Sequence, residues 1–378
     1  MNSASAESWF TESFVSPPAD PHIVVAMSGG VDSSVAALLV REAGFKCSAL
    51  FMKNWNEPSD SPDCNWEDDV RDALNVCERL GLDINTVDLS EDYWDKVFRS
   101  FVEEYERGRT PNPDILCNRE IKFRAFVECA AQQGGDLIAT GHYVRNRYQA
   151  GRHSLQRGHD RNKDQSYFLY TLGQHELSRA VFPIGHLDKP TVREMARAAG
   201  FAVHEKKDST GICFIGERHF RDFLSHYVAA RPGPILTLDG TTVGEHQGAV
   251  FYTLGQRKGL GIGGISGAAE GAWFVAGKDL ESNTLTVVQG HDHAALLSRQ
   301  LVANGVAWVG GVPAEAAFRC TAKTRYRQSD EPCAVECLED NTARVTFDQP
   351  QRAVTPGQSV VFYDGECCLG GGFIDHTD

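Results

Sequence analysis

The chain has 378 residues and a formal net charge of −14, with 42% hydrophobic and 23% charged residues. This composition is typical of a soluble globular protein of two or three domains, and it excludes collagen, a coiled-coil rod and a fully disordered chain. The overall charge also argues against a protein that coats nucleic acid, because a phosphate polymer would be repelled at long range.

The acidic excess is confined to two regions. Residues 1–22 contain three acids and no Lys or Arg, and residues 55–95 contain thirteen acids and two arginines. The neutral remainder includes two basic runs: residues 145–163 have six basic side chains against Asp160, and residues 319–327 have four and no acid. Charge alone leaves open whether each run is a solvated face or binds phosphate.

The first 140 residues alternate between strand and helix patterns. The predicted strands are His22–Met27, Lys46–Phe51, Ile84–Leu89 and Asp136–Thr140. The predicted helices are Ser33–Ala43, Trp66–Leu80, Glu91–Arg107 and Asn118–Gln133. This alternation indicates βαβ units and therefore an α/β fold with a doubly wound parallel sheet.

From about residue 225 the pattern changes to short alternating strands with frequent glycine. The predicted strands here are Trp273–Ala276, Thr284–Val288, Ala334–Leu338, Ala343–Phe347 and Ser359–Tyr363. They favour a small central linking domain over residues 225–288 and a C-terminal β-barrel over residues 289–378. Residues 22–224 then form the α/β domain, and residues 1–21 are expected to be a flexible tail.

Membrane insertion, secretion and a metal cluster held by cysteines have no support. No apolar run approaches the roughly 18 residues of a membrane helix, and the N-terminus lacks the pattern of a signal or transit peptide. We therefore expect a cytoplasmic protein. The eleven cysteines are an odd number and include no CxxC pair, which favours reduced thiols and argues against a zinc or iron–sulfur site.

The strongest motif is Ser-Gly-Gly-Val-Asp-Ser-Ser at residues 28–34, between the first predicted strand and the first predicted helix. Ligands bind at this end of a parallel sheet. The two glycines let backbone N–H groups turn inward, the serines add hydroxyl donors, and a helix N-terminus favours an anion. The segment is not a Walker A loop, because it lacks the Gly-Lys-Ser/Thr ending. It predicts a phosphate-binding loop.

Two cysteines lie in polar motifs with candidate reactivity. Cys117 follows Thr-Pro-Asn-Pro-Asp at residues 110–114 and falls at the start of the predicted helix, where the helix dipole would favour a thiolate. Cys213 follows the turn Asp-Ser-Thr-Gly at residues 208–211, near Lys206 and Lys207. The local sequence of each is also consistent with a structural cysteine.

The loop at residues 28–33 resembles the signature of the PP-loop ATP pyrophosphatases. Together, several motifs closely resemble the tRNA-uridine 2-sulfurtransferases (tRNA-specific 2-thiouridylases), and this resemblance covers nearly the whole chain from about residue 20. The further motifs that carry this resemblance are FMKNW at 51–55, NPD at 112–114 with Cys117, TGHY at 140–143, KDQSY at 163–167, DSTGICFIG at 208–216, GQRKGLG at 255–261 and KTRYR at 323–327.

The resemblance implies a role for each matching residue. ATP, accompanied by Mg²⁺ with Asp32 as a possible helper, would be held by Ala26, Met27, Ser28, Gly29, Gly30, Val31, Asp32, Ser33, Met52 and Gly141. Cys213 would carry a persulfide supplied by a sulfur-relay protein or a cysteine desulfurase, Cys117 would attack it, and Asp114 is the candidate acid or base. The target base would face Asn112, Pro113 and Asp114, and tRNA would contact His142, Lys163, Asp164, Gln165, Arg325, Tyr326 and Gln358.

The implied reaction is ATP-dependent 2-thiolation of the wobble uridine of tRNA, with release of AMP and pyrophosphate. One alternative is a PP-loop ligase that adenylates a small-molecule carbonyl for amide formation, which would need neither tRNA nor the two cysteines. The other is a non-catalytic RNA-binding protein with a degenerate nucleotide fold, and the intact phosphate loop argues against it.

Overall fold

Three β-sheets organise the part of the chain that the computed structural model describes, which is residues 8–14, 19–55, 66–207, 220–262, 271–313 and 315–378. The strands, in chain order, are β1 (His22–Met27), β2 (Lys46–Lys53), β3 (Ile84–Asp88), β4 (Leu137–Ala139), β5 (Val144–Gln149), β6 (Arg152–Arg157), β7 (Ala180–Val181), β8 (Gly233–Leu236), β9 (Thr242–His246), β10 (Trp273–Asp279), β11 (Thr284–Gln289), β12 (Leu297–Trp308), β13 (Ala317–Lys323), β14 (Glu331–Cys337), β15 (Ala343–Arg352), β16 (Ser359–Asp364) and β17 (Cys367–Thr377).

The helices lie mainly in the first half of the chain. They are α1 (Ser8–Thr11), α2 (Val31–Glu42), α3 (Trp66–Leu80), α4 (Ser90–Tyr93), α5 (Arg99–Glu106), α6 (Pro113–Leu116), α7 (Phe126–Gln132), α8 (Gln174–Leu177), α9 (Lys189–Ala198) and α10 (Phe220–Leu224). Two π-helical segments, Trp94–Phe98 and Cys117–Ala125, join α4 to α5 and α6 to α7. Short 3₁₀ turns occur at Ser166–Phe168, Ala202–Glu205, Ala249–Phe251 and Ala294–Leu296.

The first sheet is parallel throughout, in the order β3-β2-β1-β4-β7. Its central strand β1 has a continuous apolar run, and Ile23, Val24 and Val25 are fully buried because helices cover both faces of such a sheet. The predicted doubly wound α/β fold is therefore confirmed. The phosphate loop leaves the carboxyl end of β1, at the centre of the sheet.

The second half of the chain forms two further sheets. A four-stranded sheet has the order β10-β11-β8-β9, and the strands from β12 onward follow the order β12-β15-β14-β13-β16-β17, with β17 pairing back to β12. This closes a six-stranded barrel, which confirms the predicted C-terminal β-barrel. The domain boundaries placed at residues 225 and 289 stay predictions.

The hairpin of β5 and β6 belongs to the barrel sheet rather than to the parallel sheet. Its strand β6 pairs with the start of β17, where Cys367 lies opposite Gln156 and Cys368 opposite Leu155. The sequence predicts no strands here, because the hairpin is rich in arginine and lacks an alternating apolar pattern. The hairpin joins the α/β domain to the barrel through backbone hydrogen bonds.

The start of the chain differs from the expected flexible tail over residues 8–14. Trp9 and Phe10 are buried, and their rings pack against Phe45 at centroid distances of 5.8 and 4.4 Å. The buried Ser13 donates a hydrogen bond to the carbonyl of Asn146 in β5 at 3.0 Å. Burial of two large aromatic rings overcomes the entropy of ordering this segment.

None of the helices in the described ranges is long and apolar enough to cross a membrane.

Candidate active site

The phosphate loop turns sharply between β1 and α2. The hydroxyl of Ser33 donates to the carbonyl of Gly30 at 3.1 Å, and Ser34 donates to the same carbonyl at 2.8 Å. The hydroxyls of Ser28 and Ser33 lie 3.1 Å apart, and the backbone N–H of Ser28 donates to Ser33. Gly29 has a φ of +69°, and a Cβ there would lie 2.2 Å from the carbonyl oxygen of Asp69 in α3, so only glycine fits.

The other residues that were predicted to bind ATP lie in or beside this loop. Met27 and Val31 point into the core, with 1% and 4% of their surface exposed, so the ligand would meet their backbone rather than their side chains. Ala26 packs against a core cluster as a partly buried residue of β1. A Cβ on Gly141 would come within 2.7 Å of the backbone of Asp32 and Ser33, so glycine lets the end of β4 approach the start of α2.

Asp32 is held by two side chains from distant parts of the sequence. Nζ of Lys189, at the start of α9, lies 2.8 and 2.9 Å from the two carboxylate oxygens, and the hydroxyl of Tyr143 donates to one of them at 2.7 Å. The side chain of Lys189 is only 9% exposed. The negative charge beside the phosphate loop is thus balanced by a nearly buried ammonium group.

A second lysine contacts the loop from the other side. Nζ of Lys206 donates to the carbonyl of Gly29 at 3.0 Å and to the carboxylates of Asp69 and Asp72 at 2.7 and 2.6 Å. Burial lowers the pKa of Lys206, but the hydrogen bonds to the two carboxylates outweigh it and raise the pKa above its usual value. The acidic start of α3 therefore anchors a cation against the loop.

Cys117 lies one turn inside its helix rather than at the N-terminus. The helix begins at Pro113, with Asn112 as the N-cap, whose side chain accepts a hydrogen bond from the N–H of Asp114 at 3.1 Å. The prediction of a helix that starts near Asn118 was wrong, because proline is favoured in the first helical turn. The effect of the helix dipole falls off within the first turn, so the dipole favours a thiolate at Cys117 less than expected.

Cys117 begins a π-helical segment and is fully buried. It packs in an apolar cluster that includes Phe98 and Ile121, and the side chain of Met52, at the end of β2, packs against the same cluster. Met52, a predicted ATP contact, and Cys117, the predicted nucleophile, are thus brought to one cluster. Cys213 and the other residues of 208–219 lie outside the described residues.

The barrel holds the segment that leads to Cys117. The N–H of Thr110 donates to the carbonyl of Pro356 at 2.9 Å, and the side-chain amide of Gln358 donates to the carbonyl of Thr110 at 2.6 Å. A Cβ on Gly357 would lie 2.9 Å from the nitrogen of Thr110, and its φ is +91°. Arg109 also pairs with Asp375 of β17 at 2.6 Å. The side-chain amide of Gln358, a predicted tRNA contact, therefore makes a hydrogen bond within the protein.

His142 follows Gly141 and faces the helix of Cys117. Its Nδ1 lies 2.9 Å from the hydroxyl of Thr140, and its ring centroid is 5.6 Å from that of Phe123. Burial, with a smaller contribution from the charge of Lys122, lowers the pKa of His142 to about 3. The imidazole is therefore neutral at physiological pH and can act as a hydrogen-bonding group rather than as a charge.

The segment of residues 163–165 is mostly engaged in internal contacts. Asp164 is 6% exposed and accepts hydrogen bonds from the N–H of Gly158 and from Ser166, and Gln165 accepts from the N–H of Tyr143 at 2.9 Å. These bonds support the loop after β6 and the end of β4. Lys163 is half-buried and its N–H donates to the carbonyl of Asp160.

Arg325 and Tyr326 lie in the loop between β13 and β14. The guanidinium of Arg325 donates to the carbonyls of Leu254 and Ala353 at 3.1 and 2.6 Å, and the ring of Tyr326 lies 4.4 Å from that of Phe168. Burial raises the pKa of Tyr326 to about 12, so the phenol stays protonated.

Much of the two basic runs is paired within the protein. The ion pairs that include these residues are Arg145–Glu366, Arg161–Glu366, Arg157–Asp330, Lys323–Asp330 and Arg319–Asp348. The runs therefore connect the hairpin, the loop after it and the barrel. Arg147 and Arg327 are exposed, and no ion pair to either is seen in the described ranges. Arg152 is exposed as well, and its guanidinium donates to the carbonyl of Gly310 at 3.1 Å.

Two residues that sequence analysis did not assign to the loop contact it directly. Lys189 and Lys206 reach the phosphate loop from 157 and 177 positions away. The proline after Lys189 and the aspartate before it mark only a helix start, and no local pattern signals their distant partners. In the sequence, Lys206 indicates only a positive charge near Cys213.

The described residues include no group of three or more side chains that could hold a metal ion. Nζ of Lys189 lies within 2.9 Å of both carboxylate oxygens of Asp32, so a Mg²⁺ ion held by Asp32 would share this carboxylate with Lys189.

Comparison with known proteins identifies the family. The chain is 55% identical over 354 residues to the tRNA-specific 2-thiouridylase MnmA of Proteus mirabilis (strain HI4320), covering 93% of this chain and 96% of that protein. The chain belongs to the tRNA-specific 2-thiouridylase family. The protein of the same name from Yersinia pestis (strain Pestoides F) is 56% identical, with 93% of this chain and 95% of that one covered.

Family models match the three regions of this 2-thiouridylase family member. Their descriptions are a tRNA methyl transferase HUP domain at residues 21–217, a tRNA methyl transferase PRC-barrel domain at 221–289 and an aminomethyltransferase beta-barrel domain at 298–374. Among solved structures, the U34-tRNA thiolase NcsA from Methanococcus maripaludis aligns with a TM-score of 0.37 and 16% identity, covering 59% of this chain and 70% of that one. That similarity is too low to support a conclusion.

Proposed function

We propose that this protein transfers sulfur to C2 of the wobble uridine of tRNA in an ATP-dependent reaction. The observation that carries the proposal is the placement of two sites on one α/β domain. The phosphate loop lies at the carboxyl end of β1, and Met52 at the end of β2 packs against the cluster that contains Cys117. Membership of the 2-thiouridylase family over 93% of the chain supports the same reaction.

The first chemical step is the adenylation of the uridine O2. Uridine C2 is a poor electrophile with a poor leaving oxygen, and transfer of AMP to that oxygen, with release of pyrophosphate, converts it into a good leaving group. Residues 26–33, Met52 and Gly141 bind ATP, and the loop binds its phosphates through backbone N–H groups and serine hydroxyls. Lys189 holds Asp32, and Lys206 holds the carbonyl of Gly29, so both lysines maintain the loop conformation.

Mg²⁺ accompanies ATP in this proposal and reduces the negative charge of the phosphates. Asp32 would help to hold it, and would share its carboxylate with Lys189.

The second step is sulfur transfer from a cysteine persulfide. Cys213 receives the persulfide from a sulfur-relay protein or a cysteine desulfurase. The thiolate of Cys117 attacks the inner sulfur, which forms a Cys117–Cys213 disulfide and releases hydrosulfide. Hydrosulfide adds to the activated C2, and AMP leaves with the original oxygen. A thiol reductant then reduces the disulfide and restores the two cysteines. Asp114, close to the target uridine, serves as the general acid or general base.

The tRNA lies across the α/β domain and the barrel. The wobble base is unpaired in the anticodon loop, so it can leave its stack at low energetic cost and face Asn112, Pro113 and Asp114. His142, Lys163, Arg325 and Tyr326 contact the RNA directly. Asp164, Gln165 and Gln358 support the loops around them through side-chain hydrogen bonds made within the protein, and Arg325 combines such bonds with its RNA contact.

The test is thiolation of an unmodified tRNA by the purified protein with ATP, Mg²⁺ and a persulfide donor. We expect thiolation and tRNA-dependent release of pyrophosphate by the wild type. Cys117→Ser and Cys213→Ser should abolish thiolation and retain pyrophosphate release, because the adenylation step needs neither thiol. Cys77→Ser, which removes a buried thiol from α3, should retain both activities.

Three outcomes would contradict the proposal. Full thiolation by both cysteine variants would exclude the persulfide mechanism. Pyrophosphate release that does not depend on tRNA would favour a small-molecule ligase. Methyl transfer from S-adenosylmethionine to tRNA in place of thiolation would favour the activity named in two of the matching family descriptions.

A further inference from the structure

Two cysteines face each other across neighbouring strands of the barrel, far in sequence from Cys117. Cys320 in β13 and Cys333 in β14 are direct partners in the antiparallel ladder, and their Sγ atoms lie 3.8 Å apart. Both are thiols in the structure. We propose that this pair is an oxidisable dithiol, a modification site at which peroxides convert the two thiols into a cross-strand disulfide.

The geometry of the strands suits such a bond. Directly opposed residues of antiparallel strands have Cα atoms roughly 4.5 or 5.5 Å apart, and both values fall within the range found for disulfides. The two sulfur atoms must approach to about 2.05 Å, which small rotations of the side chains can provide. The ladder continues on both sides of the pair, from Ala317–Glu336 to Ala322–Glu331, and it holds the two residues in register.

The two thiols differ in accessibility. Cys320 is half-buried and reachable from solvent, whereas Cys333 is fully buried. The hydrogen bond to Cys320, together with burial, raises the pKa of Cys333, which keeps this thiol protonated. Cys320 is therefore the site of first attack, and Cys333 is the resolving thiol.

The reaction balances with hydrogen peroxide as the oxidant. Peroxide oxidises the Cys320 thiol to a sulfenic acid with release of one water molecule. The sulfur of Cys333 then displaces the hydroxyl of the sulfenic acid, which forms the S–S bond and releases a second water molecule. The two electrons lost by the thiols reduce the peroxide, and a thiol reductant reverses the change.

The disulfide would close a ring around the loop between β13 and β14. That loop carries Arg325 and Tyr326, whose contacts with Leu254, Ala353 and Phe168 hold it against neighbouring segments. The bond would change the twist of the two strands that lead into the loop, two ladder pairs beyond Cys320–Cys333, and this change in twist would strain the contacts. We therefore expect oxidation to weaken tRNA binding, and this consequence, unlike the disulfide itself, rests on the proposed function.

Peptide mapping of the intact, peroxide-treated protein tests the disulfide. Tryptic cleavage places Cys320 in residues 320–323 and Cys333 in residues 328–344, which also contain Cys337. We expect a linked pair of these peptides, lost on reduction, in the wild type and in Cys337→Ser. Cys337 is the matched control because it lies on the same strand but opposite Ala343. The linked pair should be absent from Cys320→Ser and Cys333→Ser.

The proposal is overturned if Cys320 and Cys333 both stay open to alkylation under treatment that oxidises other thiols in the same sample. Persistence of the link in Cys333→Ser would also overturn it, because the bond would then join Cys320 to Cys337. Binding of tRNA gives an independent result. We expect oxidation to lower the affinity of the wild type for tRNA several-fold. The same treatment should not lower the tRNA affinity of Cys320→Ser in this way, because that variant cannot form the disulfide. An equal loss of tRNA affinity in the wild type and in Cys320→Ser overturns the effect of the disulfide on tRNA binding. Failure of the reduced protein to bind tRNA would instead count against the proposed function.

Discussion

The side-chain amide of Gln358, in the barrel, donates a hydrogen bond of 2.6 Å to the carbonyl of Thr110, in the α/β domain. Thr110 lies two residues before Asn112, the N-cap of the helix that carries Cys117. Together with the bond from the N–H of Thr110 to Pro356, this contact fixes both polar groups of one peptide segment. The barrel thus positions the segment that presents the proposed nucleophile and the proposed acid or base.

Substitution of Gln358 should reduce catalysis more than RNA binding. Gln358→Ala and the similarly shaped Gln358→Glu both remove the donor, and each should lower the free energy of unfolding by about 1 kcal/mol. Because the segment before Asn112 loses its anchor, we expect a several-fold lower kcat with little change in KM for tRNA. Steady-state kinetics of thiolation measure both constants. An increase in KM with unchanged kcat would show that Gln358 acts mainly as an RNA contact.

Removal of the ammonium group from Lys189 should disturb the phosphate loop. Lys189→Met leaves the carboxylate of Asp32 without its main partner, and we expect a loss of stability of up to about 3 kcal/mol and a higher KM for ATP. Asp32→Asn in the Lys189→Met background should recover part of the lost stability, since it removes the uncompensated charge. Chemical denaturation of the single and double variants measures the coupling.

The exposed Lys46 offers a control for the loss of one positive charge. Lys46→Met should leave stability and ATP affinity near wild-type values. Additive effects of Lys189→Met and Asp32→Asn would mean that the two side chains do not stabilise each other.

Acid should destabilise the protein through His142. The pKa of His142 is about 3 in the folded protein, whereas the usual pKa of histidine is 6.5. Folding therefore favours the neutral imidazole. This contribution is complete above pH 6.5 and is lost as the pH falls toward 3, at roughly 1.4 kcal/mol per pH unit. His142→Gln should flatten this part of the stability profile, measured by denaturation across that pH range. His226→Gln, at an exposed histidine whose ring lies against the carbonyl of Phe223, should leave the profile unchanged, and a flattened profile there would contradict this origin.

Truncation of the N-terminal aromatic residues should destabilise the α/β domain. Trp9→Ala or Phe10→Ala removes a buried ring that packs against Phe45, and each should cost up to about 3 kcal/mol. Thr11→Ala, at an exposed position on the same turn, should cost much less. Thermal unfolding distinguishes the variants, and wild-type stability of Trp9→Ala would show that this segment does not contribute to the core.

Elements with a clear apolar period could be predicted closely from the sequence. His22–Met27 and Trp66–Leu80 have the same bounds in the structure, because burial on one or both faces determines their residue pattern. The helix of Cys117 starts at Pro113, five residues earlier than expected. The two prolines of this segment favour a loop in the sequence, although Pro113 occupies the first turn of the helix. The phosphate loop could be recognised because all its residues are contiguous.

Contacts between distant segments could not be predicted in the same way. Lys189 reaches Asp32 across 157 positions, and Arg145 reaches Glu366 across 221. The local sequence around Lys189 signals a helix start, and that around Arg145 signals only a basic run. The roles of the hairpin, of the N-terminal rings and of much of the basic charge therefore depend on the tertiary fold.

Identification of the wobble nucleoside after one turnover tests ATP-dependent sulfur transfer through Cys117 most simply. Protein whose cysteines have been loaded with persulfide is mixed with unmodified tRNA and ATP, and the anticodon nucleosides are then identified by mass spectrometry. We predict 2-thiouridine at the wobble position with the wild type, and none when ATP is omitted or when Cys117 is replaced by Ser. Wobble uridine that keeps its oxygen in the complete wild-type reaction, or 2-thiouridine formed equally by Cys117→Ser, would contradict the account.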